Sequence, residues 1–385
     1  MQQSGTTLMV KNDLTSYYSV NNSVYTSKTQ ALIEATKLNT WPDWHFGRAS
    51  FARMKWDQGH VADIREVYAA RARQLREQYD YLVLSFSGGS DSWTVLNTFL
   101  VNNIKLDEVL VYWPMRAIDG KYEVSRIKET WNYYSEYDLV IKKDLEYLAV
   151  HHPDIKITIA DYSDTLNGEI REEDWFSVND HMNPTVFSKY KMMTDTEQKL
   201  ADNDKSVAVI QGIDKPQLAY KDDKVFLYFL DILANTTIVD RFQNRKVEMF
   251  YWSPDYPELA HAQARTLYEY FVAHPENLYL IDWSNPNRSQ HKALYDDIIR
   301  TLIYPDWDKS KFQAKKTNSN TYNMMDSWVF KDATNYRYYQ SWEHGLKNIV
   351  NSVDEKFKRY DDTGKFAGWS GFISPLYELG PIYKR

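Results

Sequence analysis

The residues best suited to chemistry are Ser87-Gly88-Gly89-Ser90-Asp91-Ser92. They follow a short β-favouring run, Tyr81 to Leu84, and precede a segment in which Val95, Leu96, Phe99 and Leu100 recur at helical spacing. A strand, a small polar loop and a helix start bring several backbone N–H groups to one point. Together with the helix dipole these favour an anion, and a phosphate is the expected guest. Gly88 and Gly89 open dihedrals closed to other residues and let a ligand approach the main chain. Ser90 or Asp91 is expected to cap the helix. The spacing is neither that of the mononucleotide loop Gly-x-x-x-x-Gly-Lys-Ser/Thr nor the Gly-x-Gly-x-x-Gly of a dinucleotide turn.

A second informative stretch runs from Val207 to Pro216. The apolar residues Val207 to Ile210 predict a buried strand, Gly212 permits a tight exit and Pro216 ends regular pairing. Ligands of open parallel sheets bind outside the carboxyl ends of the strands. Asp214 and Lys215 are therefore expected to face the same crevice as Ser87 to Ser92. A Mg²⁺ bridging phosphate oxygens needs hard oxygen ligands, and Asp91 and Asp214 are the carboxylates predicted to supply them. Lys215 would neutralise charge as a phosphate bond breaks.

These groups need a scaffold, and the pattern around them predicts one. A helix is expected from His60 to Tyr79, with Arg65, Arg71, Arg73 and Arg76 on a solvated, ion-paired face. Leu106 to Trp113 and Ile155 to Ala160 predict further strands, separated by helical periodicity between Glu123 and Val150. Another helix is expected from Val186 to Ala201, β-rich runs at Lys224–Asp231 and Lys246–Trp252, and a helix opening at Pro257. Strands alternating with helices predict an α/β fold, a doubly wound and mostly parallel sheet with right-handed crossovers. The expected division is an N-terminal extension over 1–56, a nucleotide-binding domain over 57–255 and a largely helical, aromatic-rich accessory domain over 256–385. The acidic, turn-rich span from Asp161 to Asn183 reads as a lid or as a long insertion.

The loop resembles, at each fixed position, the Ser-Gly-Gly-x-Asp-Ser signature of the PP-loop ATP pyrophosphatase superfamily. Ser87, Gly88, Gly89, Asp91 and Ser92 carry the match. The superfamily includes asparagine, GMP and NAD synthetases and tRNA-modification enzymes. Phosphoadenylylsulfate reductases share its fold and motif. The resemblance implies the corresponding nucleotide-binding sheet, ATP with Mg²⁺ as cofactors, and contacts to the nucleotide from Ser85, Ser87, Ser90 and their loop neighbours. It also implies adenine beside Val111, Tyr112 and Trp113. In the reaction it implies, an acceptor oxygen attacks the α-phosphate, pyrophosphate leaves and a nucleophile displaces AMP. The stretch around Asp214 is similar, more loosely, to a later Gly-x-x-Asp element of the asparagine synthetase branch. Trp252-Ser253-Pro254-Asp255 and Ile303-Tyr304-Pro305-Asp306-Trp307 look similar to uncharacterised PP-loop proteins of tailed phages.

Composition narrows the chemistry. The 385-residue chain has no cysteine, which removes the thiolate chemistry of sulfur-transfer relatives and leaves ammonia or an amine as the nucleophile. Amide or amidine formation is the expected outcome. Two alternatives stand beside it: a reductase-like nucleotide binder without sulfur chemistry, and a non-catalytic interaction protein retaining the loop. A net charge of -7 gives no overall footprint for nucleic acid, leaving only the local clusters Lys309, Lys311, Lys315, Lys316 and Lys358, Arg359, Lys365, Lys384, Arg385. No apolar run is long enough to span a bilayer and the N-terminus carries no signal pattern, so a soluble protein of the cytoplasm, or of a host cytoplasm if viral, is expected.

Overall fold

A computed structural model describes residues 15–59, 63–113, 115, 137–162, 175, 194–231, 245–312, 336–361 and 363–382. The chain opens with strands β1 (Ser16–Val20) and β2 (Ser23–Tyr25), helix α1 (Lys28–Lys37), β3 (Asp43–Phe46) and the short α2 (Arg48–Phe51). The central unit follows as α3 (Ile64–Gln78), β4 (Tyr81–Ser85), α4 (Ser90–Val101), β5 (Glu108–Trp113), α5 (Lys142–His151), β6 (Lys156–Asp161), α6 (Asp195–Asp202) and β7 (Val207–Gln211). A hairpin of β8 (Gln217–Lys221) and β9 (Lys224–Tyr228) precedes β10 (Arg245–Met249) and α7 (Pro257–Ala273). Then come α8 (Lys292–Ile303), α9 (Lys309–Phe312), α10 (Tyr336–Asn351), β11 (Lys358–Tyr360), β12 (Phe366–Trp369) and β13 (Tyr377–Pro381).

The main sheet has five parallel strands in the order β10-β7-β4-β5-β6. From β4 the chain builds outward through β5 and β6, then returns to place β7 and β10 on the other side. Strand order therefore reverses between β4 and β7. The alternating pleat sorts their side chains by face. Leu82, Leu84, Val109, Val111, Ala208 and Ile210 enter the main core, while Val83, Leu110, Val207 and Val209 form a smaller cluster with Ala160 and Leu200 of α6. Apolar side chains on both faces of a parallel sheet are what a doubly wound architecture requires.

Several local expectations meet the structure. Helix α3 begins at Ile64, capped by Asp63, whose side chain accepts from the Arg65 N–H at 2.9 Å. Pro257 opens α7 at a position where its missing N–H costs nothing. Helix α6 carries a reciprocal capping box, Thr194 with Glu197. The solvated arginine face needs correction, because Arg71 is fully buried and donates to Glu248 and to the Met249 carbonyl, both at 2.9 Å. It ties α3 to β10. Among its described residues the segment 256–385 contains helices and also three strands, and β13 pairs with β9 to complete a three-stranded antiparallel sheet. The expected features at 123–136, 163–174, 176–183, 186–193, Lys315, Lys316, Lys384 and Arg385 lie outside the described residues. Among those described, no helix is long and apolar enough to cross a membrane.

The N-terminal sheet is joined to the rest through a buried ion pair. Lys28 of α1 contacts Asp231 at 2.8 Å with both side chains inaccessible, and Asp231 also accepts from the Tyr18 hydroxyl and the Phe372 N–H. Removing one partner leaves an uncompensated buried charge. Asp231→Ala is accordingly expected to lower unfolding free energy by about 3–5 kcal/mol in denaturant titrations. Lys224→Ala, which breaks a half-exposed pair with Glu378, should cost under about 1 kcal/mol.

Candidate phosphate site at the sheet's carboxyl edge

The loop lies at the carboxyl end of β4, directly beside the carboxyl end of β7, since Ser85 pairs in register with Gln211. This is the reversal point of the strand order, where an open parallel sheet leaves a crevice. The fit between the two strand ends is tight. A Cβ on Gly212 would lie 2.9 Å from both the Asp91 carbonyl carbon and the Ser92 nitrogen, so only glycine lets the exit of β7 pass under the loop.

Within the loop, Gly88 takes a left-handed φ of +70°. Ser92 Oγ lies 3.2 Å from the Ser87 N–H, the Ser87 Oγ and the Gly89 carbonyl, which closes the bend on itself. Helix α4 starts after Gly89, and no side chain among the described residues caps it. Ser90 and Asp91, expected as caps, stand instead at its first two positions, because the extended Gly89 already turns the chain into the helix. The N–H groups of this first turn are thus not taken by a capping side chain. Ser87 is exposed, and Gly89 and Ser90 are half-buried. The Cβ side of Gly88 is closed by Ile141 and Val140, with an added Cβ falling 2.5 Å from Ile141 Cγ1.

Asp91 and Asp214 converge as the sequence predicts, with Lys215 between them. Its Nζ lies 2.9 and 3.0 Å from the two Asp91 carboxylate oxygens and 3.2 Å from Asp214 Oδ1. Burial pulls the Lys215 ammonium toward neutrality, but Asp214 and Asp91 outweigh that and hold it above the usual lysine value. Burial likewise pushes the Asp91 carboxyl up, and the Lys215 charge with the Tyr304 hydrogen bond more than reverses this, leaving it below the usual carboxylate range. The two carboxylates do not fit a divalent ion held between them, because the lysine already occupies that space. Among the described residues no group of three His, Cys, Asp or Glu side chains converges as metal ligands.

Two tyrosines that local sequence patterns do not reveal complete the setting. The Tyr304 hydroxyl donates to Asp91 Oδ1 at 2.5 Å and the Tyr251 hydroxyl to the Asp91 carbonyl at 2.7 Å, with their rings stacked at 5.6 Å. Burial, reinforced by the Asp91 charge, pushes both hydroxyls up, so each remains a donor. Tyr251 follows β10 by two residues and so reaches the same carboxyl edge. Tyr304 closes α8, and its turn is held by Asp306, which pairs with Arg65 at 2.8 Å and accepts from Asn97 at 3.1 Å. The Tyr-Pro-Asp-Trp stretch at 304–307 contained the signal, but nothing local assigns it to Asp91.

At the expected adenine wall, Val111 is 1% and Trp113 2% exposed. Val111 is enclosed in the main core and Trp113 packs on Tyr137, while Tyr112 is half-buried between the two clusters. Tyr112 is therefore the member of the trio with surface to offer. No family model, no curated protein and no solved structure matches this chain.

Two outcomes follow from the geometry. Gly212→Ala should displace the loop, giving a loss of anion binding measurable by calorimetry with pyrophosphate, together with lower thermal stability. Asp91 has a folded pKa below its ordinary 3.8, so its contribution is present above that value and is lost as pH falls through the lower, folded one. Acid unfolding followed by circular dichroism should therefore set in at lower pH in wild type than in Asp91→Asn, and the substitution should flatten the acid limb of stability against pH.

Proposed function

We propose that the chain binds ATP at the Ser87–Ser92 loop and transfers its adenylyl group to a carbonyl or carboxylate oxygen of an acceptor. The acceptor oxygen bonds to the α-phosphorus, the bond from phosphorus to the α,β-bridging oxygen breaks, and pyrophosphate departs with that electron pair. Ammonia or an amine then displaces AMP. The observation that carries this reading is the placement of a glycine-lined loop, with a helix start free of side-chain caps, at the point where strand order reverses. The Ser-Gly-Gly-x-Asp-Ser resemblance supplies the nucleotide and the reaction class.

Each element has a role in this reading. Loop amides and the Ser87 hydroxyl receive the departing pyrophosphate, each charge-assisted bond contributing about 1.5–3 kcal/mol. Lys215 places a cation at the same edge. Asp91, held by Lys215, Tyr304 and Tyr251, fixes the first helical turn against β7. A second reading, a nucleotide binder without turnover, is favoured by one observation: both acidic groups of the crevice are engaged by Lys215.

Calorimetry should show ATP and pyrophosphate binding at least tenfold more tightly than adenosine, since the phosphates supply the contacts. With ammonium chloride as nitrogen donor and a panel of carboxylate acceptors, wild type should release pyrophosphate. Asp91→Ala should slow release by on the order of a hundredfold or more. Equal affinity for adenosine and ATP would contradict the phosphate assignment. Tight ATP binding without release by any acceptor would select the binder.

A further inference from the structure

The carboxyl edge carries an internal balance of charge. Asp91 and Asp214 contribute two carboxylates, and Lys215 spans them with contacts of 2.9 to 3.2 Å. A second cation stands close by. Arg300 lies one helical turn before Tyr304 on α8, and residues four apart share a face. Because the Tyr304 hydroxyl touches Asp91 and the Tyr304 N–H bonds the Arg300 carbonyl at 3.0 Å, the arginine is carried to the same edge. Its own carboxylate contact is long, 3.8 Å to Asp296, and Lys292 already holds Asp296 at 2.7 Å. The Arg300 Nε is buried without a hydrogen-bond partner among the described residues. The guanidinium leans on the Trp307 ring at 5.6 Å, which orients it without consuming its donors.

We infer that Lys215 occupies the position a divalent cation would take between Asp91 and Asp214, and that Lys215 and Arg300 together meet the charge of a polyphosphate at the loop. The inference rests on the phosphate reading of the loop and adds what neutralises the ligand: two side-chain cations in place of an ion held by the protein's carboxylates. An ammonium between two carboxylates excludes a divalent ion by occupation and by charge. A planar guanidinium whose Nε–H has no partner among the described residues is suited to a phosphate oxygen.

The first measurement uses Mn²⁺ alone. In titrations followed by electron paramagnetic resonance, wild type should leave the free Mn²⁺ signal unchanged, and Lys215→Met should take up about one ion per chain, because the lysine no longer separates the carboxylates. Uptake by wild type that disappears in Asp214→Asn would overturn the inference. So would failure of a folded Lys215→Met, checked by circular dichroism, to take up the ion. If that variant does not fold, the wild-type titration decides alone.

The second measurement is ATP affinity in the presence of EDTA. Arg300→Met and Lys215→Met should each weaken binding tenfold or more, whereas Lys221→Met, an exposed hairpin lysine, should change it less than twofold. Unchanged affinity in Arg300→Met would overturn the arginine's part. If wild type bound ATP under no condition, the function proposed above would fall, and the Mn²⁺ titration would still decide whether Lys215 excludes the ion.

Discussion

The contact on which the site depends is the grip of Lys215 and Tyr304 on Asp91. Asp91 belongs to the first turn of the helix after the loop, Lys215 to the exit of β7, and Tyr304 to the end of a helix far along the chain. One carboxylate therefore joins three elements that share no local sequence. The strength of this junction comes from its setting, since charge-assisted hydrogen bonds gain in a partly desolvated site. Removing any one partner would leave the others with unsatisfied charge or an unpaired hydroxyl.

Around that junction the fold is arranged to keep the N–H groups of the first turn of α4 clear of a capping side chain. Gly212 lets β7 pass close beneath Asp91 and Ser92, and Gly88 turns the chain in a left-handed conformation against Ile141. Buried tyrosines brace the far side: Tyr68 donates to the Ile303 carbonyl and Tyr251 to that of Asp91. The segment beyond 256 is thus part of the site's construction, because α8 delivers Tyr304 and Arg300 while β13 extends the β8–β9 hairpin. The same buried cluster holds residues from Tyr18 to Ile382.

What was legible in the sequence follows the range of the interactions. The loop, both flanking elements and the exit of β7 could be read because glycine placement and short apolar runs express local backbone demands. The parallel sheet followed from alternation of strands and helices. The β8–β9 hairpin was only half visible, since its turn is Asp222-Asp223 at positive φ, without the glycine that marks most such turns. Arg71 read as a surface residue because its partner Glu248 lies 177 positions away. Tyr304 and Tyr251 meet Asp91 across 213 and 160 positions, and no periodicity encodes such a contact. The convergence of Asp91 and Asp214 was foreseeable from strand ends, but the lysine between them required the positions of side chains.

The central claim is that backbone groups from Gly88 to Ser92 cradle a phosphate chain. Amide hydrogen exchange at these residues, followed with and without ATP, tests it most directly. The account predicts slowed exchange at Gly89, Ser90, Asp91 and Ser92 on adding ATP, with little change from adenosine. Bound ATP that left those amides exchanging as before, while protecting residues elsewhere, would contradict it.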